Sequence, residues 1–253
     1  MNIDLSNRLA LVTGATGELG RVITRTLAAC GADVVIHYHS NQDMAEKLLS
    51  EVRAMGRRTL AVRADVTDRE SVNRMQKELA GSIGDPDILV NNAVIQYAWT
   101  TVLEQSPADY ESQFRSCVLH NVLMAQAFAP AMIRRRWGRI IAINTECAMQ
   151  CHPSQSAYVS GKRGMDGVLR VLAAEIGRCN ITVNQVAPGW MISDKYRASG
   201  TERQPDYEKG IPLGRRGYDQ DVANAVAFLA SDLAAFITGV YLPVCGGNVM
   251  PRI

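Results

Sequence analysis

"RLALVTGATGELG", running from Arg8 to Gly20, decides the fold. Its first part, "RLALVT", is an apolar run of strand length. Its second part, "TGATGELG", places glycines at 14, 17 and 20 ahead of a helical pattern over Leu19–Cys30, and Gly31 is set to end that helix. A strand that turns through glycines directly into a helix gathers free N–H groups and the positive end of the helix dipole at one point. That point suits a pyrophosphate. Gly14, Thr16, Gly17, Leu19 and Gly20 are therefore candidate contacts for a dinucleotide.

Outward from this stretch, short apolar runs alternate with longer amphipathic ones. Strands are expected at "DVVIHY" (Asp33–Tyr38), "TLAVRA" (Thr59–Ala64), "DILVNN" (Asp87–Asn92), "RIIAIN" (Arg139–Asn144), "ITVNQV" (Ile181–Val186) and near "VYLPV" (Val240–Val244). A helix with Met44, Leu48, Val52 and Met55 on one face stops at Gly56, and Asp68 is placed to cap the helix after the third strand. One long helix is expected over 107–136, another carries Tyr158, and a last one covers about 220–231. Repeated strand–helix units imply a doubly wound α/β fold, a parallel seven-stranded sheet with helices on both faces, with ligands at the carboxyl ends of the strands. The chain reads as one domain over 1–253. The irregular stretch 188–218 is too long for a plain connection and is expected to bind substrate.

Composition excludes several classes. Lys and Arg total 27 and Asp and Glu 25, a net charge of +2 that gives no electrostatic case for nucleic acid or an anionic membrane. The one basic run, "RRRWGR" (Arg134–Arg139), is expected to be a solvated helix end. Six cysteines lack paired short spacings, so no metal is expected, and the thiols are read as loop and core residues. No secretory leader and no uninterrupted apolar stretch of spanning length are present, which fits the cytoplasm.

The cofactor choice turns on the end of the second strand. A carboxylate there would accept from the ribose hydroxyls of NAD. Instead the chain reads "HYHSN" (His37–Asn41), with Asp33 at the wrong end. Donors at His39, Ser40 and Asn41, and no acid to repel a 2′-phosphate, favour NADP(H) over NAD(H), although no arginine stands in that stretch.

"NTECAMQCHPSQSAYVSGK" (Asn144–Lys162) carries the chemistry. Tyr158 and Lys162 are i and i+4 on one helix face. A unit charge about 4 Å from a phenol at an effective dielectric of ~20 is worth roughly 4 kcal/mol. That would bring a group titrating near 10 down by about three units, to near 7, where it serves as a proton donor.

Taken together, "TGATGELG", "ADV" (Ala64–Val66), "NNA" (Asn91–Ala93), Thr145 with "YVSGK", "VNQVAPG" (Val183–Gly189), and "ITG" with "GG" (Ile237–Gly239, Gly246–Gly247) resemble the classical short-chain dehydrogenase/reductase family over essentially the whole chain. The resemblance is nearest to the 3-oxoacyl-acyl-carrier-protein reductases and related ketoreductases. It implies a homotetramer and an NAD(P)-dependent reduction of a carbonyl to an alcohol, or the reverse, on a small-molecule substrate. It further implies that Tyr158 is the acid, that Lys162 holds the nicotinamide ribose and that Thr145 replaces the usual serine. Asp65 and Val66 would flank the adenine, and Asn91 and Ala93 would pass beneath the cofactor. Pro188 and Gly189 would border the nicotinamide, Ser193 would stand where a threonine commonly contacts its carboxamide or the phosphates, and Met191 would also contact the cofactor.

Five positions depart from the family pattern. Glu18 replaces the middle glycine, giving a spacing similar to the extended branch of the family, and is expected to point away from the pyrophosphate. Val94 follows "NNA" where glycine is usual. Cys117 falls on the usual catalytic asparagine, with Asn121 one turn later. Cys245 replaces an aspartate. Glu146 follows Thr145 directly, either to bind a cationic or hydroxylated substrate or to form a structural hydrogen bond, the latter being favoured. Gln96, Tyr97, Gln150 and His152 are candidates for the pocket rim. Two other readings are open on this fold: a non-catalytic NADP-binding protein, and an isomerase or dehydratase.

Overall fold

The computed structural model describes residues 2–250. Within them β1 (Leu9–Val12), β2 (Asp33–Tyr38), β3 (Thr59–Arg63), β4 (Ile88–Asn91), β5 (Gly138–Ile143), β6 (Ile181–Pro188) and β7 (Tyr241–Val244) form one seven-stranded sheet in the order β3-β2-β1-β4-β5-β6-β7. Every neighbouring pair is parallel. The order reverses between β1 and β4, so a crevice opens there at the carboxyl edge of the sheet.

The period-two alternation of the strands builds two cores. Ala10, Val12, Val34, Ile36, Ile88 and Val90 face α1 (Glu18–Ala29), α2 (Gln42–Ala54) and the late helix over Asp219–Ala230. Leu9, Leu11, Val35 and Leu89 face α3 (Arg69–Ser82) and the helices that follow β4 and β5. Gly31 ends the first helical stretch with φ +102°, a conformation glycine adopts without strain, and Asp68 caps α3 by accepting from the Ser71 N–H at 2.7 Å.

The long helix expected over 107–136 is interrupted. It divides into α4 (Pro107–Gln113), a π-helical segment (Phe114–Leu119) and α5 (His120–Arg135). The whole run, Pro107–Arg135, is long and apolar enough to cross a membrane, but 67% of its apolar window is buried against the protein, as in a core helix. Across from it lies α7 (Ser156–Ile176), which carries Tyr158 and Lys162. A Cβ at Gly161 would meet the Gln113 carbonyl oxygen at 2.8 Å, and one at Gly164 would meet Val118 Cγ2 at 2.9 Å. These two glycines let α7 press directly on the π segment and the helical turn before it, and Ser116 of that segment lines the crevice.

Two other expectations need correction. The stretch between β6 and the last helix is not irregular throughout: α8 (Asp194–Ala198) and α9 (Pro205–Glu208) form in it. A short helix, α6 (Cys147–Gln150), precedes α7, and α10 (Asp219–Ala230) follows the loop. The basic run is not a uniformly solvated helix end either. Arg139 is buried, donating to Asp232 at 2.9 Å and lying over the Trp137 ring, and Arg135 pairs with Asp87 at 3.2 Å.

Candidate active site

The crevice is a cleft of about 850 Å³. Its floor is the glycine loop, its far wall is the pair Thr145 and Tyr158 with Lys162, and its roof is the segment after Pro188. Gly14 has φ +61°, and a Cβ on it would meet the Ala93 Cα at 2.9 Å. A Cβ on Gly20 would meet the Ala15 Cα, also at 2.9 Å. Both glycines are therefore required for the loop to nest between β1 and β4. The Ala15 and Gly17 N–H groups are taken by the His37 and Gly14 carbonyls at 2.9 and 3.0 Å, and the first turn of α1, at Glu18 and Leu19, stands on the cleft wall. His37 completes the cradle from below. It is fully buried, its Nδ1 accepts from the Gly14 N–H at 3.0 Å, and its Nε2 donates to the Ala64 carbonyl at 3.1 Å. The first bond fixes the tautomer, and burial pushes the imidazole down to about 4, so the ring is neutral.

Of the sequence-predicted cofactor contacts, Gly14, Thr16, Gly17, Leu19, Gly20, His39, Ser40, Asp65, Val66, Ala93, Pro188, Gly189 and Met191 line this cleft. Asn91 and Ser193 do not. Asn91 is buried behind the wall, where its Nδ2 donates to Asn121 Oδ1 at 2.7 Å, and Ser193 is buried at the start of α8. Asn41, read as a phosphate donor, is the N-cap of α2, with Oδ1 accepting from the Met44 N–H at 3.1 Å. Arg63, one strand over, does not line the cleft itself but lies next to this end of it. The β2–β3 register sets it beside Tyr38, and its Nε donates to the His39 carbonyl at 3.0 Å. Only the strand pairing brings it there, which no local motif reveals.

Glu18 turns its carboxylate toward the roof. It lines the cleft, its Oε1 accepting from the Lys195 N–H at the start of α8 at 3.2 Å, while Arg21 pairs with Asp194 at 3.0 Å. The first turn of α1 is thereby tied to the roof. Asp219, close to Glu18 and also on the cleft wall, is raised to about 6, first by burial and then by the Glu18 charge.

At the far wall, Tyr158 lies in the first turn of α7. Its N–H, an orphan donor at the helix start, donates to the Tyr97 hydroxyl at 2.7 Å. Its ring stacks on Trp99, with centroids 5.9 Å apart and planes at 27°. Tyr97, read as a rim residue, thus supports the helix from beneath, whereas Gln96 is on the cleft wall. Lys162 is buried, and its Nζ donates to the Ile143 carbonyl at 2.6 Å and sits 5.8 Å from the Tyr158 ring centroid. Burial pushes the phenol up from its ordinary range, against a lowering hydrogen bond with Thr145, and pushes the lysine down. The protein's own groups therefore do not bring the phenol toward 7. Burial outweighs the lowering contributions at the phenol, and Lys162 is itself buried.

Thr145 is held from three sides. Asn144 Oδ1 accepts its N–H at 2.9 Å, the Tyr241 hydroxyl donates to its carbonyl, and its Oγ1 accepts from the Cys147 N–H at 3.2 Å. Asn144 also donates through Nδ2 to the Lys162 carbonyl at 3.2 Å and to Gln185 Oε1 at 2.7 Å, and Gln185 donates to Asp166 at 2.7 Å. This buried amide network links β5, β6 and α7 and was missed in the sequence, because its members are adjacent only once the sheet forms. At the asparagine position of the family pattern, Cys117 is buried with only long sulfur contacts of 3.9 and 4.0 Å. Its carbonyl accepts from Asn121 Nδ2 at 2.7 Å. Asn91 Oδ1 and His120 Nε2 are buried without a protein partner, among the described residues, in the same region.

Glu146 does not line the cleft. It is buried, Oε1 accepting from the Tyr207 hydroxyl at 2.5 Å and Oε2 from Asn248 Nδ2 at 3.0 Å, as the structural reading required. Burial raises its carboxyl, and these two bonds oppose the rise.

A family model described as Enoyl-(Acyl carrier protein) reductase matches residues 14–248, which span the cleft from the glycine loop to Asn248. The chain belongs to the short-chain dehydrogenase/reductase family. Among curated relatives in this family, the 3-oxoacyl-[acyl-carrier-protein] reductase of Staphylococcus epidermidis is 36% identical over 244 residues, covering 96% of this chain and all of the relative. The enzyme of the same name from Escherichia coli is 35% identical over 258 residues, covering 98% of this chain and all of the relative. A solved short-chain dehydrogenase/reductase, a 7α-hydroxysteroid dehydrogenase complexed with NADH and 7-oxo glycochenodeoxycholic acid, superposes with a TM-score of 0.88 at 30% identity. The match covers 97% of this chain and 96% of that one. As a member of this family the chain is an oxidoreductase with a Rossmann-like parallel sheet. The glycine cradle and the open cleft above it fit the dinucleotide that such enzymes use.

Proposed function

We propose that the protein is an NADPH-dependent carbonyl reductase acting on a ketone or a 3-oxoacyl compound, with Tyr158 as proton donor. The observation that carries this reading is that one cleft joins the glycine cradle to Thr145, Tyr158 and Lys162. A reduced nicotinamide bound there supplies a hydride to the carbonyl carbon. Thr145 Oγ1 accepts from the Cys147 N–H and is hydrogen-bonded to Tyr158, so the two hydroxyls stand together, and the Thr145 proton turns to the substrate oxygen when it binds and fixes its position. Tyr158 gives its proton to that oxygen as negative charge grows, and burial, which raises the phenol, favours its protonated form beforehand. Lys162, anchored on Ile143, keeps a positive charge behind the ring and retains donors for a ribose.

The preference for NADPH rests on the adenosine end. His39 and Ser40 line it, no carboxylate closes β2, and Arg63 is fastened to the His39 carbonyl. The reductases to which the chain is 35–36% identical act on 3-oxoacyl groups by name, and the superposed dehydrogenase carries a 7-oxo steroid. A soluble cytoplasmic homotetramer accords with this reading, and the exposed Phe114, Val171 and Phe236 offer apolar surface for other copies to cover.

The deciding experiment follows NADPH absorbance with simple ketones, a 3-oxoacyl thioester and an enoyl thioester. Cofactor oxidation matched by alcohol formation supports the proposal. Binding without turnover, reduction of the enoyl compound alone, or substrate conversion without net cofactor change overturns it.

A further inference from the structure

The segment between Pro188 and α10 roofs the cleft, and its fastenings differ in kind. Arg216, buried, ties the segment to itself, donating to the carbonyls of Trp190, Met191 and Glu202 at 3.0, 2.7 and 2.9 Å. Glu18 and Arg21 hold its α8 end to the glycine loop through exposed bonds. Glu146 alone among these residues reaches the roof from the position next to Thr145. The Trp190 N–H donates to Tyr207 Oη at 2.8 Å, and the Tyr207 hydroxyl donates to Glu146 Oε1 at 2.5 Å, so one ordered chain of bonds runs from the roof to the catalytic wall. The Trp190 and Tyr207 rings meet edge to face with centroids 5.4 Å apart, which locks the relative orientation of the two. The second oxygen takes Asn248 from the C-terminal stretch.

Gly189 shows that the chain passes at close quarters. A Cβ there would lie 2.8 Å from Tyr207 Oη and 3.1 Å from Glu146 Oε2. Buried carboxylates that accept from two donors are expensive to disturb, because losing one side strands the other donors.

We infer that Glu146 is a positioning residue for substrate: through Tyr207 and Trp190 it holds the roof down over Thr145 and so sets substrate affinity and not the proton-transfer step. This rests on the reductase reading above. It also explains why a carboxylate stands beside the catalytic threonine without lining the cleft.

The test compares Glu146→Ala, Glu146→Gln and Tyr207→Phe with the unaltered protein, by two measurements. In the first, trypsin is applied and cleavage at the exposed roof residues Lys195, Arg197, Arg203 and Lys209 is timed by mass spectrometry. In the second, KM and kcat are measured with NADPH and an acetoacetyl thioester. Glu146→Ala and Tyr207→Phe should each speed roof cleavage about tenfold, and raise KM about tenfold with kcat within about twofold, as loss of a charge-assisted bond implies. Glu146→Gln keeps an acceptor for Tyr207 and, after an amide flip of Asn248, a partner for it too, so its values should fall between. The Tyr207→Phe variant removes one hydroxyl and keeps the ring, which protects the comparison against misfolding. Roof cleavage and KM unchanged in Tyr207→Phe would overturn the inference, as would a fall in kcat at constant KM. If the unaltered protein oxidises no NADPH at all, the reductase reading fails, and the trypsin comparison still decides whether Glu146 fastens the roof.

Discussion

Lys162 Nζ donates to the Ile143 carbonyl at 2.6 Å while standing 5.8 Å from the centre of the Tyr158 ring. The lysine is thus anchored to the end of β5, one residue before the amide network that positions Thr145. Proton donation then depends on the phenol itself. Tyr158→Phe keeps the ring against Trp99 and removes only the hydroxyl. Carbonyl reduction should fall by about a hundred- to ten-thousandfold, the scale of a lost general acid. Titration of NADPH fluorescence should give an unchanged Kd. Near-normal turnover in this variant would remove Tyr158 from the mechanism.

The same relationship fixes a pH dependence. Burial raises the Tyr158 phenol, so its proton stays on through the neutral range. The rate of reduction, as kcat/KM, should therefore show no falling limb from Tyr158 between about pH 6 and about pH 9. Oxidation of the alcohol needs the phenolate and should keep rising with pH over that interval. A falling limb in reduction centred near neutrality, lost in Tyr158→Phe, would show that the ammonium controls the phenol after all.

A second titration concerns stability. His37 is buried and neutral, its folded value pushed down to about 4 from an ordinary 6.5. Between those values the unfolded chain binds the proton and the folded protein does not. Stability therefore rises with pH across this window and is lost as pH falls from about 6.5 toward 4, by up to about 3 kcal/mol. Protonation at Nδ1 would also break the bond from the Gly14 N–H and loosen the cradle. Urea unfolding at several pH values should show the loss, and His37→Gln should flatten it. An equal slope in both proteins would assign the pH dependence elsewhere, with buried His120, pushed down to about 3, as the next group to replace.

What the sequence revealed and what it hid follow one division. The glycine loop, the alternating strands and the Tyr158–Lys162 pair are each written within a few residues, so local pattern exposes them. Asn144, Gln185 and Asp166 form one network only because β5 and β6 pair and α7 crosses them, and Glu146 meets Tyr207 across 61 residues. Such contacts have no local signature. The π-helical break at Phe114–Leu119 was hidden for another reason: apolar spacing through it is compatible with a continuous α-helix, and the close approach of α7 at Gly161 and Gly164 selects the wider turn.

Arg63 gives the sharpest test of cofactor choice. It lies on β3, opposite Tyr38 in the register, and its Nε is taken by the His39 carbonyl, which aims the exposed guanidinium past the end of β2. The remaining N–H groups are suited to a phosphate on the adenosine ribose, and a neutral ribose hydroxyl gains far less from them. Arg63→Ala should weaken NADPH about ten- to a hundredfold, the scale of a lost hydrogen bond to a charged group. NADH affinity should change little, because that cofactor has nothing for the guanidinium to neutralise. The measurement is a pair of fluorescence titrations on each protein, at two salt concentrations, with the NADPH difference shrinking at the higher one. Equal losses for the two cofactors would mean that Arg63 only braces His39. A native preference for NADH would mean that the 2′-phosphate is read nowhere in this cleft.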